Sequence, residues 1–307
     1  MLETLAPNTK LEEHSLELTG LQDPIHMWHR LIAYLGLDDE QVIVAMRRTS
    51  ETLLRDAAEF VVGAYDYLAS FDETASILGW EQEMDQEHLE ERRQFFATWM
   101  ARAIGVDLSD EFAKYLFRAG ILHAGHGPRR IHTPPQWVMG AVSMVQAHFA
   151  ERILHYGHER ELAAQAIGGW NKYLMLQNYQ MLAGYNVATA LDEGPITITA
   201  KLYGKLQAIA GLEEQIIHAH NDDTLADVLR KFFNYHPALR EEFFEVKWRT
   251  PEDDVEATWV TDFEKVYTPR QGPYWRILLN GKEVRYHGGL EQPIHHGDMI
   301  AFFPPGR

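Results

Sequence analysis

Apolar side chains recur every three or four positions from about residue 22 to residue 190, which is the spacing of amphipathic helices. One helix is predicted over residues 86–105, with Phe96 on its apolar face. Residues 50–68 predict one helix, whose apolar stripe consists of Leu54, Ala58, Val61, Tyr65 and Leu68. This part of the chain therefore predicts an all-α domain of roughly seven or eight helices.

A further helix is predicted over residues 110–123, with Ser109 or Asp110 as its N-cap. The two small residues Ala119 and Gly120 are expected to leave room beside this helix. Its apolar stripe consists of Phe112, Leu116, Ala119 and His123. The stripe therefore ends in an imidazole, which makes His123 the candidate functional residue of this helix.

The period of the pattern changes from 3.6 to 2 after Gly194-Pro195, which marks the boundary between two domains, 1–192 and 195–307. Asn280-Gly281 lies between two alternating runs and predicts a β-hairpin. The remaining expected elements are strands at 196–203, 213–220, 274–279 and 299–303 and a helix at 223–233. The second domain is therefore predicted to be a small α+β domain, in which residues 241–270 look like an insertion.

Composition narrows the possible partners. The chain has 45 acidic residues against 28 Lys and Arg and a formal charge of −17, which disfavours nucleic acid and anionic membranes as partners. It contains no run of about 20 apolar residues, and its start lacks a signal-peptide pattern, so we expect a cytoplasmic protein. Because the chain has no cysteine, any metal must be held through nitrogen or oxygen.

Three histidines lie close together in sequence, at His123, His126 and His132. A histidine on an apolar helix face is usually a core or cap residue. A planar apolar cofactor between helices, however, needs one imidazole for its metal, aromatic walls and a polar group opposite. Tyr65 and Phe96, at inward positions of upstream helices, are candidates for those walls.

The segments AEFVVGAYDYLAS, EERRQFFATWM, RAGILHAG and PPQWVMGA, in this order over about residues 20–190, resemble the protoglobins and the globin domains of globin-coupled sensors. The resemblance implies a globin fold with heme b and an open iron position for a diatomic gas, O2, CO or NO. It assigns His123 as the proximal iron ligand, with His126 as the alternative, and Tyr65 as the distal hydrogen-bond donor. The other implied cofactor-binding residues are Phe96, Leu116 and Trp137.

Two points of this assignment stay open. Arg129 and Arg130 either pair with the heme propionates or form a solvated turn, and the turn is favoured. The apolar residues around 170–185 either pair two copies of the chain into a homodimer through the last globin helices or are buried within their own domain.

The second domain, over about residues 195–307, resembles the MoaD/ThiS-like sulfur carriers, which have a β-grasp, ubiquitin-like fold. The resemblance rests on Asn280-Gly281 and on the segment HGDMIAFFPP at 296–305. It implies a partner of the adenylating or molybdopterin-synthase type. The carrier-like tail is Pro304, Pro305 and Gly306, but Arg307 follows where the carriers end in two glycines. Three explanations remain open: lost carrier chemistry, trimming of Arg307, or a natural chain that continues further.

The chain is therefore predicted to be multidomain, an all-α globin-like domain followed by a β-grasp domain. The favoured function is gas binding and sensing, coupled to an output domain linked to molybdenum-cofactor or sulfur-transfer metabolism. No dedicated distal acid–base pair is visible, so binding is favoured over enzymatic turnover. The alternatives are a sulfur carrier with a structural globin part and a heme enzyme acting on NO or peroxide.

Overall fold

The computed structural model describes residues 13–249, 264–270 and 275–303. The chain divides into two compact units. One unit is Pro24–Ala188, and the other combines the segment that ends at Asp23 with the chain from Thr189 onward.

The first unit is helical, and the predicted all-α class is confirmed. Its core is built on large buried side chains that include Trp28, Phe112, Phe149 and Trp170. Its helices are α1 (Pro24–Leu35), α2 (Glu40–Arg55), α3 (Ala57–Ala69), α4 (Asp72–Leu78), α5 (Gln86–Ile104), α6 (Asp110–His123), α7 (Pro135–His155) and α8, which ends in the second unit (Arg160–Leu191).

Short polar side chains set where several of these helices begin. Ser109 caps α6, because its hydroxyl accepts a hydrogen bond from the Phe112 amide at 3.3 Å. Asp85 caps α5 in the same way and accepts from the His88 amide at 3.1 Å. Pro135 occupies the first turn of α7, where a missing N–H costs nothing. The predicted start of α6 is thereby confirmed.

The single helix predicted over residues 50–68 is wrong, because α2 ends at Arg55 and α3 begins at Ala57. Leu54, assigned to the apolar stripe, is 55% exposed, whereas its neighbour Leu53 is buried. Asp56 stands at the break and forms an ion pair with Arg152 of α7. Two helices with separate apolar faces therefore produced the appearance of one stripe.

The second unit contains a five-stranded sheet with the order β2-β1-β7-β5-β6, in which β1 and β7 are parallel and the other neighbours antiparallel. A separate two-stranded sheet is formed by β3 and β4. The strands are β1 (Ile196–Leu202), β2 (Glu214–Ala219), β3 (Phe244–Arg249), β4 (Glu264–Pro269), β5 (Arg276–Leu279), β6 (Lys282–Glu283) and β7 (Met299–Phe303). The helices are α9 (Lys205–Ala210), α10 (Leu225–Tyr235) and α11 (Pro237–Phe243).

Helix α10 covers one face of the larger sheet. Phe232 of α10 stacks on Phe302 of β7, with ring centroids 4.9 Å apart, and both rings are fully buried. The hairpin predicted at Asn280-Gly281 is confirmed: both residues have positive φ, and β5 and β6 pair on either side. This mixed sheet with a packed helix confirms the predicted β-grasp class.

Two features of the second unit were not predicted. The apparent insertion contributes β3 and β4, and the segment before Asp23, which the sequence analysis assigned to the first domain, packs here. Leu18 exchanges two backbone hydrogen bonds with Tyr267 of β4, at 2.8 and 2.9 Å. Leu16 and Leu21 are buried in the same core.

No helix within the described ranges is both long enough and apolar enough to cross a bilayer. The carrier-like tail residues Pro304, Pro305 and Gly306 lie outside the described residues. Their assignment therefore stays a prediction.

Candidate functional site

His123 is the last residue of α6, and the loop after it fixes its backbone. The Thr133 amide donates to the His123 carbonyl oxygen at 2.7 Å, and Ala124 forms a β-bridge with His132. Gly125 has a φ of 95°, which a helix does not contain and which would strain any residue but glycine. The chain therefore leaves the helical path just after His123. The imidazole therefore projects from a fixed helix end.

The His123 side chain is held in its neutral form. Burial and, to a smaller extent, the positive charge of Arg92 together lower the pKa of the imidazole to about 4. The Nδ1 atom is buried and has no hydrogen-bond partner. A neutral imidazole keeps a free lone pair at physiological pH, which is the form that coordinates a metal.

The His123 ring borders a small pocket that is partly open to solvent. The lining is mainly apolar, with the buried Asn178 as one of its few polar residues. The other lining residues come from α6, α7 and α8 and are Gly120, Pro135, Val138, Met139, Met181, Leu182 and Tyr185.

The expectation that Gly120 leaves room beside α6 is wrong, because α8 fills that space. A Cβ atom on Gly120 would lie 1.8 Å from the Met181 carbonyl oxygen, and one on Gly184 would lie 1.9 Å from the Phe117 carbonyl oxygen. The two glycines let the backbones of α6 and α8 touch. They therefore set the position of the helix that ends in His123.

Tyr65 of α3 and Phe96 of α5 are brought together. Their ring centroids are 6.0 Å apart at 87°, and Phe96 stacks on Trp99. The Tyr65 hydroxyl donates to the Arg92 carbonyl oxygen at 3.0 Å. Burial raises the pKa of Tyr65 to about 12, so the phenol keeps its proton and remains a donor at neutral pH.

The remaining predicted residues have definite positions, although their contacts with a cofactor stay predictions. Leu116 is fully buried in α6, and Trp137 lies half-buried in the first turn of α7. His126 follows the end of α6, and its amide donates to the Ile121 carbonyl oxygen at 3.4 Å.

His132 and Arg129, which were also considered from the sequence, contact other side chains of the protein. The His132 Nε2 atom lies 2.7 Å from the Tyr185 hydroxyl. Arg129 donates from Nε to Glu91 at 2.9 Å and lies 3.6 Å from Asp85. Among the residues that the structure describes, no three His, Asp or Glu side chains are grouped to hold a metal ion by themselves.

Arg92 and His88 were not among the predicted site residues, and both lie near Tyr65 and Phe96. Both are on α5, and the spacing His88, Arg92, Phe96 is four residues each time, which places them on one helix face. The charge of Arg92 acts on His123, Tyr65 and His88. This i, i+4 spacing is the signal that could have identified Arg92.

Comparisons with known proteins give a separate finding for each unit. A family model described as Protoglobin matches residues 27–191, and one described as the ThiS family matches residues 200–306. No curated protein matches the chain.

Three similar solved structures each match only part of the chain. The globin domain of the Geobacter sulfurreducens globin-coupled sensor is 18% identical, over 51% of this chain and 96% of that domain, with a TM-score of 0.42. SAMP1 from Haloferax volcanii is 24% identical, over 36% of this chain and 96% of its own, with a TM-score of 0.25. Small archaeal modifier protein 1 from Methanosarcina acetivorans is 24% identical, over 36% and 93%, with a TM-score of 0.26.

Proposed function

Because this chain belongs to the protoglobin family, we propose that its helical unit binds heme b through His123 and holds a diatomic gas near Tyr65. The observation that carries the proposal is the His123 imidazole, which is buried, neutral and unpartnered at Nδ1 beside a mainly apolar cavity. Heme would supply an iron with one position open to O2, CO or NO.

The described residues fit such a cofactor. A single neutral imidazole is enough when the porphyrin supplies the other ligands, so the lack of a metal-binding cluster in the described part of the chain is no obstacle. Phe96 and Trp99 provide stacked aromatic surface, and Tyr65 provides a protonated hydroxyl next to it. These side chains offer an aromatic surface and one polar group.

Tyr65 would stabilise a gas ligand that carries partial negative charge. Its hydroxyl already donates to the Arg92 carbonyl oxygen, so donation to a ligand replaces one hydrogen bond with another. The net gain is therefore at the lower end for a hydrogen bond, about 0.5 to 1 kcal/mol. Modest gas retention suits a sensor that must release its ligand.

The first test is the spectrum of the protein reconstituted with heme. We expect the wild type to give a Soret band that shifts with dithionite and CO, and His123→Ala to lose it because the iron has no protein ligand. His126→Ala is the matched control, since His126 is the alternative ligand three residues on, and it should keep the band. Loss of the band in His126→Ala alone would assign the iron to His126, and no band in the wild type would refute heme binding.

We propose that the β-grasp unit is the output domain of this sensor. The face of its sheet opposite α10 exposes Ile216 of β2 and Met299 of β7, which are paired in turn with Thr199 of β1. An exposed apolar sheet surface of this kind suits a protein partner of the adenylating or molybdopterin-synthase type. The molecule would then report gas binding to molybdenum-cofactor or sulfur-transfer metabolism from the cytoplasm.

The match of residues 200–306 to the ThiS family favours one alternative function, a sulfur carrier. Mass spectrometry after incubation with an adenylating enzyme, ATP and a sulfur donor separates the two. A gain in mass that corresponds to a thiocarboxylate would establish the sulfur-carrier function. An unchanged mass would favour the proposed output domain.

We also propose that two copies pair through α7 and α8. These helices expose four large apolar side chains, Met139, Leu154, Met175 and Tyr179. Sedimentation of the reconstituted protein as a monomer at micromolar concentration would contradict this pairing.

A further inference from the structure

Three buried nitrogen atoms in the helical unit have no hydrogen-bond partner and lie on neighbouring residues. They are Trp80 Nε1, His88 Nε2 and Arg92 Nε. Trp80 is 6% exposed and His88 is 3% exposed, so bulk water does not satisfy them. A buried polar group left unpaired costs about 1–3 kcal/mol, and three within one cluster need an explanation.

The three side chains form one cluster. Trp80 follows the end of α4, and its ring centroid lies 5.4 Å from that of His88, at 66°. His88 and Arg92 are one turn apart on α5. The Tyr65 ring lies 6.3 Å from Trp80, and its hydroxyl contacts the Arg92 backbone. The cluster therefore adjoins the residues of the proposed gas site.

The chemistry of the cluster defines what is missing from it. Indole and guanidinium nitrogens only donate hydrogen bonds, and a neutral imidazole donates from one of its two nitrogens. Burial, with a further contribution from Arg92, lowers the pKa of His88, which keeps its ring neutral. The missing group is therefore a hydrogen-bond acceptor.

The nearby carboxylates do not supply that acceptor. Glu91 accepts from Arg129 at 2.9 Å, and its other oxygen lies 3.4 Å from an Arg92 terminal nitrogen, not from Nε. Asp85 caps α5 by accepting from the His88 amide and lies near Arg129. Arg129 thus pairs with both acids, Arg92 shares Glu91 with it, and the buried Nε of Arg92 keeps an unused N–H.

We propose that Trp80, His88 and Arg92 form a binding site for an anion of the carboxylate or small oxyanion class. Arginine suits this chemistry because its charge is permanent and its N–H groups match two acceptor oxygens. The acceptor has two possible sources: a free anion such as formate, or a propionate of the heme proposed above. Only the second source depends on the proposed heme function.

The first arm of the test uses the protein without heme. Nitrogen-15 indole spectra are recorded during titration with sodium formate, and the Trp80 signal is the one that Trp80→Phe removes. We expect this signal to shift saturably in the wild type, and the formate affinity to fall about tenfold or more in Arg92→Leu, which loses a charge-assisted hydrogen bond. Arg55→Leu is the matched control, because it removes an equal charge from an exposed site on α2.

The second arm compares heme with heme dimethyl ester, whose propionates carry no charge. If a propionate occupies the cluster, Arg92→Leu should weaken heme about tenfold or more and leave the ester unaffected. Arg92→Lys keeps the positive charge but lacks Nε, so its heme affinity should lie between those of the wild type and Arg92→Leu. Melting followed by circular dichroism identifies any variant that fails to fold.

A response in either arm supports the site and identifies its source. The proposal is overturned if the Trp80 signal does not shift with formate and if Arg92→Leu weakens the binding of heme and of its dimethyl ester equally. If the wild type binds no heme at all, the proposed function fails, and the formate arm still decides the anion site.

Discussion

At the scale of single residues, burial alone does not distinguish a core histidine from a candidate ligand-binding histidine, because the surroundings of the ring also matter. Burial lowers the pKa of both His123 and His236 to about 4. His236 is enclosed by Phe232 and Tyr235, with ring centroids 5.0 and 4.7 Å away, whereas His123 borders a cavity. A neutral imidazole is thus common to both, and what distinguishes His123 is the pocket that it lines.

His236 makes the β-grasp unit sensitive to acid. Its pKa is about 6.5 in the unfolded chain and about 4 in the folded one, so the unfolded state binds more protons between these values. The stabilisation is complete above pH 6.5 and is lost progressively as the pH falls to 4. The loss amounts to about 3 kcal/mol over that window. Urea unfolding at several pH values measures it.

His236→Phe is the variant that checks this assignment, because phenylalanine keeps the ring contacts and cannot take up a proton. Its unfolding free energy should vary less between pH 6.5 and 4 than that of the wild type. An identical pH dependence in the two proteins would show that other groups cause the acid sensitivity.

The residues of the candidate site differ in how well sequence predicts them. His123 could be chosen because it ends an apolar stripe at a glycine-rich turn, and both signals are local. Arg92 was missed because arginine on a helix is ordinarily solvated, and its buried Nε is visible only when α3 and α5 are packed. The local signal for Arg92 is its four-residue spacing from His88 and Phe96, which does not by itself distinguish a buried guanidinium from a solvated one.

At the scale of secondary-structure elements, the crossing of α6 and α8 positions His123. Alanine at Gly184 would bring Cβ within 1.9 Å of the Phe117 carbonyl oxygen, and backbone cannot yield as a side chain can. We expect Gly184→Ala to lower the free energy of unfolding by about 3 kcal/mol through overpacking. Chemical denaturation measures the change, and the heme spectrum reports whether α6 has moved.

Gly168→Ala is the matched control on the same helix. A Cβ there would meet no atom within 4 Å, so alanine should raise stability by about 0.5–1 kcal/mol through its better helix propensity. If both variants behave alike, the close approach of α6 and α8 does not limit packing.

Sequence period predicted most elements, and it failed where the pattern was short or ambiguous. Residues 196–202 alternate over a full strand and were recognised, as was the hairpin turn at Asn280-Gly281. Strand β3 was missed because Val246 and Trp248 are exposed and charged residues alternate with them, which is also typical of a solvated loop. The break at Asp56 was missed because it carries neither glycine nor proline.

At the scale of the whole molecule, the second unit is assembled from two distant parts of the chain. Arg230 donates to the Thr19 carbonyl oxygen at 2.9 Å, and the buried Arg240 contacts the Gln22 carbonyl oxygen. Lys265 forms an ion pair with Asp23 at 2.7 Å. A fragment that starts at residue 195 would lack these contacts, and the buried Arg240 would lose the Gln22 carbonyl oxygen and Asp23.

Leu18 is the residue at which this assembly is best tested. It is 0% exposed, and its backbone is paired with Tyr267 of β4. Leu18→Ala should lower the stability of the second unit by about 2–5 kcal/mol, because it leaves a cavity in a packed core. Hydrogen exchange should accelerate in β4 and stay unchanged in α6. Leu54→Ala, which makes the same change at an exposed position, should have little effect on either element. Unchanged exchange in β4 would mean that the β-grasp unit stands without its N-terminal segment, and that a fragment from residue 195 suffices for partner studies.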